Sequence, residues 1–374
     1  MKFALVIPTY NEKENIGNLL PILLDEFSGI KGHELHVVVV DGNSPDGTSD
    51  VVRAVATENP NIHLIVEEEK TGIGGAYING MSYAIAELHA DGVFEMDADF
   101  QHDPKDIKRF IQKFEEGYDY IIGSRYIKGG SIPEKWQFHR KFLSYFGNLF
   151  ARLVLGTFEI HDITSGYRLS RASLLSQVDL TKLEKKTYVY KIQLLYLLKK
   201  KKAKLTEIPI QFGLRDRGDS KMERENIVSS LKLVLMLRVN DNPSFFKFLI
   251  VGLVGLFVQT AILFGLTLVA KMDPKVAIIP AFLLAVFSNF VLNNIWSFKD
   301  RKLSGSKERI SKFVVFLLVN VGSFFIQRGF IVASQLLSNG SVYITLFIGY
   351  PLGIGVGIVW NYLFYSRIVW RKKG

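Results

Sequence analysis

Four apolar stretches in the second half of the chain constrain its fold more than any other feature. They run over Phe245–Ala270, Val276–Phe298, Phe313–Leu337 and Tyr343–Val369. Each is long enough to cross a bilayer, for which an α-helix needs about 20 residues. Backbone polar groups must be satisfied inside lipid, so such segments fold as helices. The sequence therefore predicts an all-α transmembrane domain of four helices after a more polar α/β part.

Basic residues between the spans indicate their orientation. Six Lys or Arg residues lie between the second and third spans, and four lie in the C-terminal tail, whereas the turn at 338–341 carries no charge. Positively charged loops remain in the cytoplasm, so we expect the polar part and both termini there. The net charge of the chain is +10, and its basic residues concentrate beside the apolar spans. This placement favours the lipid bilayer as a partner and argues against nucleic acid.

The membrane part also repeats itself. Residues 247–252 match the segment that begins with residues 312–315 at a spacing of 65, and residues 294–298 are similar to 361–364. This pattern predicts two similar helical hairpins. Arg328 and several asparagines fall inside the spans, where polar groups are costly against lipid. We expect them to join helices to one another rather than to line a transport path.

The polar part alternates apolar runs with segments of helical periodicity. Five runs are predicted to be strands: Phe3–Ile7, Leu35–Val40, Ile62–Val66, Gly92–Met96 and Tyr120–Gly123. Between them lie helical patterns such as the one over Ile16–Leu24. Alternating strands and helices are typical of a mostly parallel sheet covered by helices. The fold class predicted for this part is therefore α/β.

Polar side chains follow the predicted strands. Asp97 and Asp99 come directly after the fourth strand, with Gln101 two residues further on. Carboxylate and amide oxygens are the ligands that Mg²⁺ and Mn²⁺ prefer, and the chain has no cysteine to offer a thiolate. Tyr10, Glu12, Asp41 and Arg125 follow the other strands. Open α/β sheets bind ligands at this edge, so we expect these side chains to meet there.

Two segments allow two interpretations each. The turn Gly72–Gly75 is either a phosphate cradle or a plain turn, and the absence of a following Lys-[Ser/Thr] favours the plain turn. Residues 140–150 have basic residues at the start and apolar residues at helical spacing. That pattern fits either a helix in the membrane interface or a helix packed in the core.

The motifs together resemble a known family. They are Val6–Glu12, Asp41 with Ser44–Thr48, Asp97–His102, Gly123–Tyr126, Asp162–Arg168 and Arg215–Lys221. In order and combination they resemble the inverting family-2 glycosyltransferases, closest to dolichyl- or polyprenyl-phosphate mannose synthases. The membrane half resembles the GtrA-like four-helix domain. One departure is Gly42, where the family usually has a second Asp.

The resemblance implies a domain division and a set of site residues. It implies a Rossmann-like GT-A catalytic domain over residues 1–222, an interfacial helix or linker over 223–243 and the transmembrane domain over 244–374. The implied nucleotide-sugar site consists of Pro8, Tyr10, Glu12, Val39, Asp41, Asp97, Ala98, Asp99, Gln101, Arg215 and Lys221. The implied metal ligands are Asp97, Asp99 and Gln101, for Mg²⁺ or Mn²⁺. Asp99 and Arg125 are the expected catalytic residues, and Arg125, Arg140 and Ser144 are the candidates for holding the acceptor phosphate.

The implied reaction is transfer of mannose from GDP-mannose to a polyprenyl (dolichyl) phosphate at the cytoplasmic membrane face. A phosphate monoester has a second pKa near about 6, so this acceptor is already charged and needs no general base. Two alternatives remain open. One is a UDP-glucose-dependent polyprenyl-phosphate glucosyltransferase, and the other is a lipid-flipping membrane protein with weak catalysis.

Overall fold

The computed structural model describes residues 1–213, 224–337 and 341–371. The chain divides into two compact units, Met1–Arg238 and Val239–Gly374. The first unit contains seven strands: β1 Lys2–Thr9, β2 Glu34–Asp41, β3 Ile62–Val66, β4 Gly92–Glu95, β5 Tyr120–Ser124, β6 Arg168–Arg171 and β7 Leu205–Pro209. Its helices are α1 Lys13–Ser28, α2 Thr48–Glu58, α3 Ile73–Ala86, α4 Ile107–Glu115, α5 Phe138–Leu155, α6 Ala172–Leu175 and α7 Tyr190–Lys200. Helix α8, Arg224–Asp241, contains the boundary between the units.

All seven strands form one sheet in the order β3-β2-β1-β4-β6-β5-β7. Every pair is parallel except those of β6, which runs antiparallel to both β4 and β5. The predicted mostly parallel α/β sheet is therefore confirmed. The five strands predicted from apolar runs are all present. Strand β6 gave no such signal, because it is only four residues long and contains two arginines, of which Arg168 is fully buried.

Strand β1 continues through Pro8, where the sequence suggested that it would stop. Pro8 is in register with Val40 of β2. On the other side, β4 pairs only with Phe3–Val6, so no neighbouring strand requires an N–H at position 8. A proline is tolerated in a strand where its missing donor has no ladder partner. The strand therefore carries Thr9 and the following Tyr10 to the edge of the sheet.

Successive residues of the central strands pack on opposite faces of the sheet. Leu5, Ile7 and Val39 face a core that includes residues of α1 and α4, whereas Val6 and Val40 face one that includes residues of α3 and α7. This alternation is the ordinary consequence of strand pleating. Both faces are covered, which explains why the strands read as continuous apolar runs.

The second unit contains four helices that are long and apolar enough to cross a membrane. They extend over Pro243–Val269, Pro274–Ser297, Ser306–Leu337 and Val342–Val369. Along these lengths the chain is α-helical over Pro243–Phe264, Pro274–Leu292, Ser306–Leu337, Val342–Ile344 and Tyr350–Phe364, with π-helical turns at Gly265–Val269, Asn293–Ser297, Thr345–Gly349 and Tyr365–Val369. The first helix packs against the second and the third against the fourth.

Polar side chains inside this unit make specific contacts between helices. Asn320 Nδ2 donates to Tyr365 Oη at 2.7 Å, and Trp370 Nε1 donates to Asn294 Oδ1 at 3.0 Å. Asn289 packs closely on Gly255, because a Cβ built at Gly255 would lie 2.2 Å from Asn289 Oδ1. Asn320 thus joins two helices through a hydrogen bond, as expected. Among the described residues, the buried side-chain oxygens of Asn289, Asn293 and Asn361 have no hydrogen-bond partner. Arg328 does not join helices, because its side chain is exposed on the surface of the unit.

Candidate active site

A cavity of about 180 Å³ opens at the carboxyl ends of β1, β2 and β4. Its lining is contributed by Pro8, Thr9, Tyr10, Glu12, Gly42, Glu67, Lys70, Gly72, Ile73, Ala76, Asp97, Ala98, Asp99 and Tyr188. Six of these were predicted to bind the nucleotide sugar, and the fold brings them together from two strand ends. The cavity has the polar end groups and the position expected of a ligand site in an open α/β sheet.

Two carboxylates at one end of the cavity are held by specific contacts. Tyr77 Oη donates to Asp97 Oδ1 at 2.6 Å, and the Asp97 backbone N–H donates to His102 Nδ1 at 3.3 Å. Burial and the neighbouring Asp97 raise the pKa of Tyr77 well above its ordinary value, so its hydroxyl keeps the proton that it donates. Burial lowers the pKa of His102 to about 4, which leaves its ring neutral. The backbone N–H of Gln101 donates to Asp99 Oδ1 at 3.2 Å.

The oxygen groups at this end fit a hard divalent cation. Gln101 Nε2 donates to the carbonyl of Gly213 at 3.2 Å, which leaves the amide oxygen as its ligand atom. In the part of the chain that the structure describes, no group of three or more His, Cys, Asp or Glu residues is placed to hold a metal. The cavity wall therefore offers two carboxylates, Asp97 and Asp99, whereas the predicted ligand Gln101 does not line the cavity. Mg²⁺ and Mn²⁺ accept such sets and take their remaining ligands from phosphates and water.

Two other predicted nucleotide-binding residues lie beneath the cavity rather than on its wall. Asp41 is fully buried and accepts hydrogen bonds from Thr9 Oγ1, Ser49 Oγ and both the hydroxyl and the backbone N–H of Ser44, at 2.6–3.0 Å. These contacts organise the turn after β2. Val39 has its side chain in the core of the sheet. Arg215 and Lys221 lie outside the described residues.

The cavity is also lined by Glu67 and Lys70, which were not among the predicted site residues. The Lys70 ammonium lies 3.3 Å from the centroid of the Tyr10 ring. Nearby, Glu67 accepts from Thr71 Oγ1 at 2.6 Å and from Asn79 Nδ2 at 2.7 Å. Both residues follow β3, as Asp97 follows β4: Glu67 comes directly after the strand, and Lys70 comes three residues later. Their position after a strand end is thus a signal that the sequence contains.

The glycines after β3 provide a close packing surface for a later segment. A Cβ at Gly74 would lie 2.5 Å from the carbonyl oxygen of Glu184, and the Gly75 N–H donates to the Lys185 carbonyl at 2.8 Å. Their small size is thus explained by packing, as the plain-turn interpretation predicted. The segment placed in this way leads to Tyr188, which lines the cavity.

Arg125 lies in a second polar cluster, paired with a buried carboxylate. Its Nε and Nη2 contact the two oxygens of Asp162 at 2.7 and 2.8 Å, and Nη2 also donates to Thr164 Oγ1 at 3.0 Å. Burial alone would raise the pKa of Asp162, but the charge and hydrogen bonds of Arg125 hold it below its ordinary value. The sequence pattern alone does not connect these two residues, which lie 37 positions apart.

Arg140 and Ser144, both on α5, lie near this pair. Ser144 Oγ accepts from Tyr126 Oη at 2.6 Å. The Arg140 guanidinium stacks 3.8 Å from the centroid of Trp136. Burial, and then the charge of Arg125, lower the pKa of Arg140, so the two cations are close enough to repel. Asp162 compensates the charge of Arg125, so the cluster keeps one net positive charge, which suits an anion.

The outer face of α5 is apolar and exposed. Phe138, Phe142 and Phe146 form a row of ring contacts along it, and Phe138 is 82% exposed. The opposite face is buried through Ala151 and Leu155. The core-packed interpretation is therefore wrong for the outer face. An exposed aromatic row with cations at the helix start fits a membrane interface.

One loop connects the two polar clusters. Asp162 and Thr164 hold Arg125. Four residues after Asp162, Gly166 lies so close to the cavity carboxylates that a Cβ there would be 3.0 Å from Asp97 Oδ2 and 2.9 Å from His102 Cε1. The loop therefore lies against both the carboxylate end of the cavity and the arginine cluster.

The chain is similar to known proteins over almost its whole length. Residues 4–179 match the glycosyl transferase family 2 model, and residues 247–370 match the GtrA/DPMS transmembrane domain. A dolichol-phosphate mannosyltransferase from Pyrococcus furiosus is 33% identical over 365 residues, covering 96% of this chain and 98% of that protein. The chain therefore belongs to glycosyl transferase family 2, with a GtrA/DPMS transmembrane domain. It is an integral membrane glycosyltransferase.

Other relatives match the first part of the chain. A polyprenol monophosphomannose synthase from Mycolicibacterium smegmatis is 37% identical over 226 residues, which cover 59% of this chain and 81% of that protein. A solved structure of glucosyl-3-phosphoglycerate synthase from Mycobacterium tuberculosis aligns at 18% identity and a TM-score of 0.46, over 63% of this chain and 79% of that one.

Proposed function

We propose that this protein transfers mannose from GDP-mannose to a polyprenyl (dolichyl) phosphate, with inversion, at the cytoplasmic face of the membrane. The observation that supports this most is the pairing of two sites in one unit. A cavity ending in Asp97 and Asp99 adjoins, through one loop, a cationic cluster of Arg125 and Arg140. The likeness to a dolichol-phosphate mannosyltransferase over nearly the full length supports the choice of substrates.

The cavity would hold the sugar donor. Asp97, Asp99 and the Gln101 amide would bind a divalent cation, and Tyr10 and Glu12 would take the nucleoside end. A bound cation would stabilise the negative charge of the departing diphosphate. The contacts from Tyr77 and from the Gln101 N–H fix the carboxylates before the substrate arrives, so little reorganisation accompanies binding.

The cationic cluster would hold the acceptor phosphate. In the reaction, a phosphate oxygen attacks the anomeric carbon, the bond from that carbon to the diphosphate breaks, and the nucleoside diphosphate leaves. Because the acceptor is ionised near neutral pH, the protein has to position it rather than deprotonate it. Arg125 is fixed for this role by Asp162 and Thr164, and Arg140 by its stacking on Trp136.

The membrane unit would anchor the enzyme beside its lipid substrate. Its polar contacts, such as Asn320 with Tyr365, join helices in pairs, which favours an anchor over the flipping alternative. The basic loop at 299–312 supports a cytoplasmic catalytic unit. Because the chain has no cysteine, a Ser304→Cys variant provides a clean test. Impermeant maleimide should label it from the cytoplasmic side only, and labelling from outside would reverse the assignment.

The donor is tested by comparing nucleotide sugars on one short-chain polyprenyl phosphate. GDP-mannose should exceed UDP-glucose in kcat/KM by at least about tenfold, which corresponds to about 1.4 kcal/mol. The anomeric configuration of the product should be inverted relative to that of the donor. A higher kcat/KM with UDP-glucose would replace this proposal with the glucosyltransferase alternative.

A further inference from the structure

We infer that Lys70 reads the base of the sugar donor and, together with Glu12, makes the site prefer guanine. The inference deepens the proposed function and rests on it for the identity of the nucleotide. Its starting point is the part of the cavity wall where Lys70 lies against Tyr10 and Gly42, with Glu12 in the same lining. If the diphosphate lies at Asp97 and Asp99, the nucleoside extends towards these other lining residues.

Lys70 is placed here by two contacts. Its ammonium lies 3.3 Å from the centroid of the Tyr10 ring, a cation–π arrangement that holds a long, flexible side chain in one place. Its stem covers Gly42, since a Cβ built at that glycine would be 3.4 Å from Lys70 Cγ and 3.4 Å from Tyr10 Cδ2. Without a side chain at position 42, the lysine packs directly over the backbone beside the tyrosine.

The two charged side chains in this part of the lining offer opposite hydrogen-bonding characters. An ammonium only donates, and a carboxylate only accepts. Guanine presents acceptors at O6 and N7, the pair that lysine side chains recognise in nucleic acids, and donors at N1 and N2. Adenine has the same size but presents an amino donor where guanine has O6. A lysine beside this edge therefore favours guanine over adenine, and Glu12 adds the complementary acceptor.

Glu12 is also held in position. Its Oε2 accepts from Asn15 Nδ2 at 2.5 Å, and its backbone N–H donates to Thr48 Oγ1 at 3.1 Å. The carboxylate is thus held by residues that follow β1 and β2, while Lys70 reaches the same cavity from the loop after β3. A guanine that contacts both residues would have its O6 and N7 acceptors bound by Lys70 and its N1 and N2 donors bound by Glu12. A single charged residue would recognise only one of these two groups of atoms.

The test measures binding of GDP, ADP and inorganic pyrophosphate to the full-length enzyme in detergent with Mn²⁺. Lys70→Ala should weaken GDP at least about tenfold, the scale of a lost hydrogen bond to a charged group, and should reduce the preference for GDP over ADP by a similar factor. Pyrophosphate has no base, so its affinity should stay unchanged. Lys70→Arg should retain most of the preference, because arginine also donates to O6 and N7.

Lys113→Ala is the matched control, because Lys113 also lies over a tyrosine ring, 5.8 Å from the centroid of Tyr118, outside the cavity lining. It should change none of the three affinities. Equal losses for GDP and pyrophosphate in Lys70→Ala would mean that Lys70 contacts phosphate, and tighter GDP binding would mean that it blocks the Tyr10 face. Either result overturns the inference. UDP is measured as a fourth ligand of the wild-type enzyme, and tighter binding of UDP than of GDP would instead refute the proposed donor.

Discussion

The Arg125 guanidinium and the Asp162 carboxylate form a buried, two-point ion pair, with Nε–Oδ2 and Nη2–Oδ1 distances of 2.7 and 2.8 Å. Their side chains are 8% and 0% exposed. The Arg125 backbone N–H also donates to Asp162 Oδ2 at 3.0 Å. Removing one member of such a pair leaves an uncompensated buried charge, so the pair links the geometry of the cationic cluster to the stability of the fold.

Asp162→Asn should therefore destabilise the protein at neutral pH, by about 3–5 kcal/mol. The pH dependence has a definite sign. Because the folded-state pKa of Asp162 lies below the unfolded value near 3.8, its stabilising contribution is present above about pH 4 and disappears as pH falls through the folded-state pKa. Unfolding measured from pH 7 to pH 3 should show this loss in the wild type and a weaker one in the variant.

An exposed pair provides the control for this prediction. Arg53 and Asp50 contact each other at 2.7 Å, but their side chains are 61% and 81% exposed. Asp50→Asn should change the free energy of unfolding by less than about 1 kcal/mol. Equal stability of the Asp162→Asn variant and the wild type would show that the buried pair contributes little.

The carboxylates at the cavity end predict dependence on a divalent cation. Asp99→Ala should abolish transfer and should weaken Mn²⁺ binding measured by calorimetry in the presence of GDP. Chelation by EDTA should abolish transfer by the wild type, and Mg²⁺ or Mn²⁺ should restore it. Asp103→Ala is the local control, because Asp103 caps the turn Pro104–Asp106 instead. Full turnover in EDTA would contradict the metal hypothesis.

Gly166 predicts a steric effect on the same carboxylates. A Cβ there would be 2.9 Å from the His102 ring, 3.0 Å from Asp97 Oδ2 and 3.0 Å from Lys191 Nζ, and His102 and Lys191 are buried. Gly166→Ala should therefore shift these groups slightly and lower kcat/KM for the sugar donor by less than about a hundredfold, which is the cost of misplacing catalytic groups by about 1 Å. Gly147→Ala, where a Cβ meets nothing within 4 Å, should leave donor affinity unchanged.

Much of this site follows from the sequence because it depends on local order. A strand that ends in Asp97-Ala98-Asp99 has to deliver those residues to the sheet edge, and the structure places both carboxylates on the cavity wall. The pairing of Arg125 with Asp162 could not be read in the same way, since 37 residues separate them. Only the antiparallel insertion of β6 between β4 and β5 shows how these segments meet.

A sequence also does not show whether the hydrogen-bonding capacity of a side chain is already used within the protein. Asp41 follows β2 just as Asp97 follows β4, and both were expected on the cavity wall. In the structure, the Asp41 carboxylate is buried and takes its hydrogen bonds from Thr9, Ser44 and Ser49. The strand end gives the position of a carboxylate, whereas its neighbours in space decide whether its oxygens face a ligand.

Because the chain separates into two compact units, we expect the first unit to keep its transfer activity without the second. A chain ending at Arg238 should fold and should transfer mannose to a detergent-dispersed acceptor with a raised KM. Circular dichroism and GDP binding should confirm that the shortened protein is folded. If that folded protein binds both substrates without turnover, a chemical role belongs to the membrane unit.

The last prediction concerns the acceptor phosphate and Arg140. Arg140→Ala removes a cation from the cluster around Arg125 and touches nothing in the donor cavity. Donor affinity should therefore stay near the wild-type value. The fall in kcat/KM for the lipid should correspond to a loss of about 2–4 kcal/mol of transition-state stabilisation, the scale of a lost charged contact at a reacting centre. Both constants should be measured with a soluble, short-chain acceptor, so that membrane association does not affect the result.

The alternative is that Arg140 only extends its charge to the membrane surface. In that case Arg140→Lys would be harmless, and Arg140→Ala would weaken membrane association without changing turnover on the short-chain acceptor. Lys141→Ala provides the matched control, because Lys141 is the next residue and its ammonium contacts the Glu134 carbonyl at 3.0 Å instead. A phosphate-binding role requires Arg140→Ala to be impaired on the soluble acceptor while Lys141→Ala is not. Unchanged kinetics for both variants would exclude Arg140 from the acceptor site.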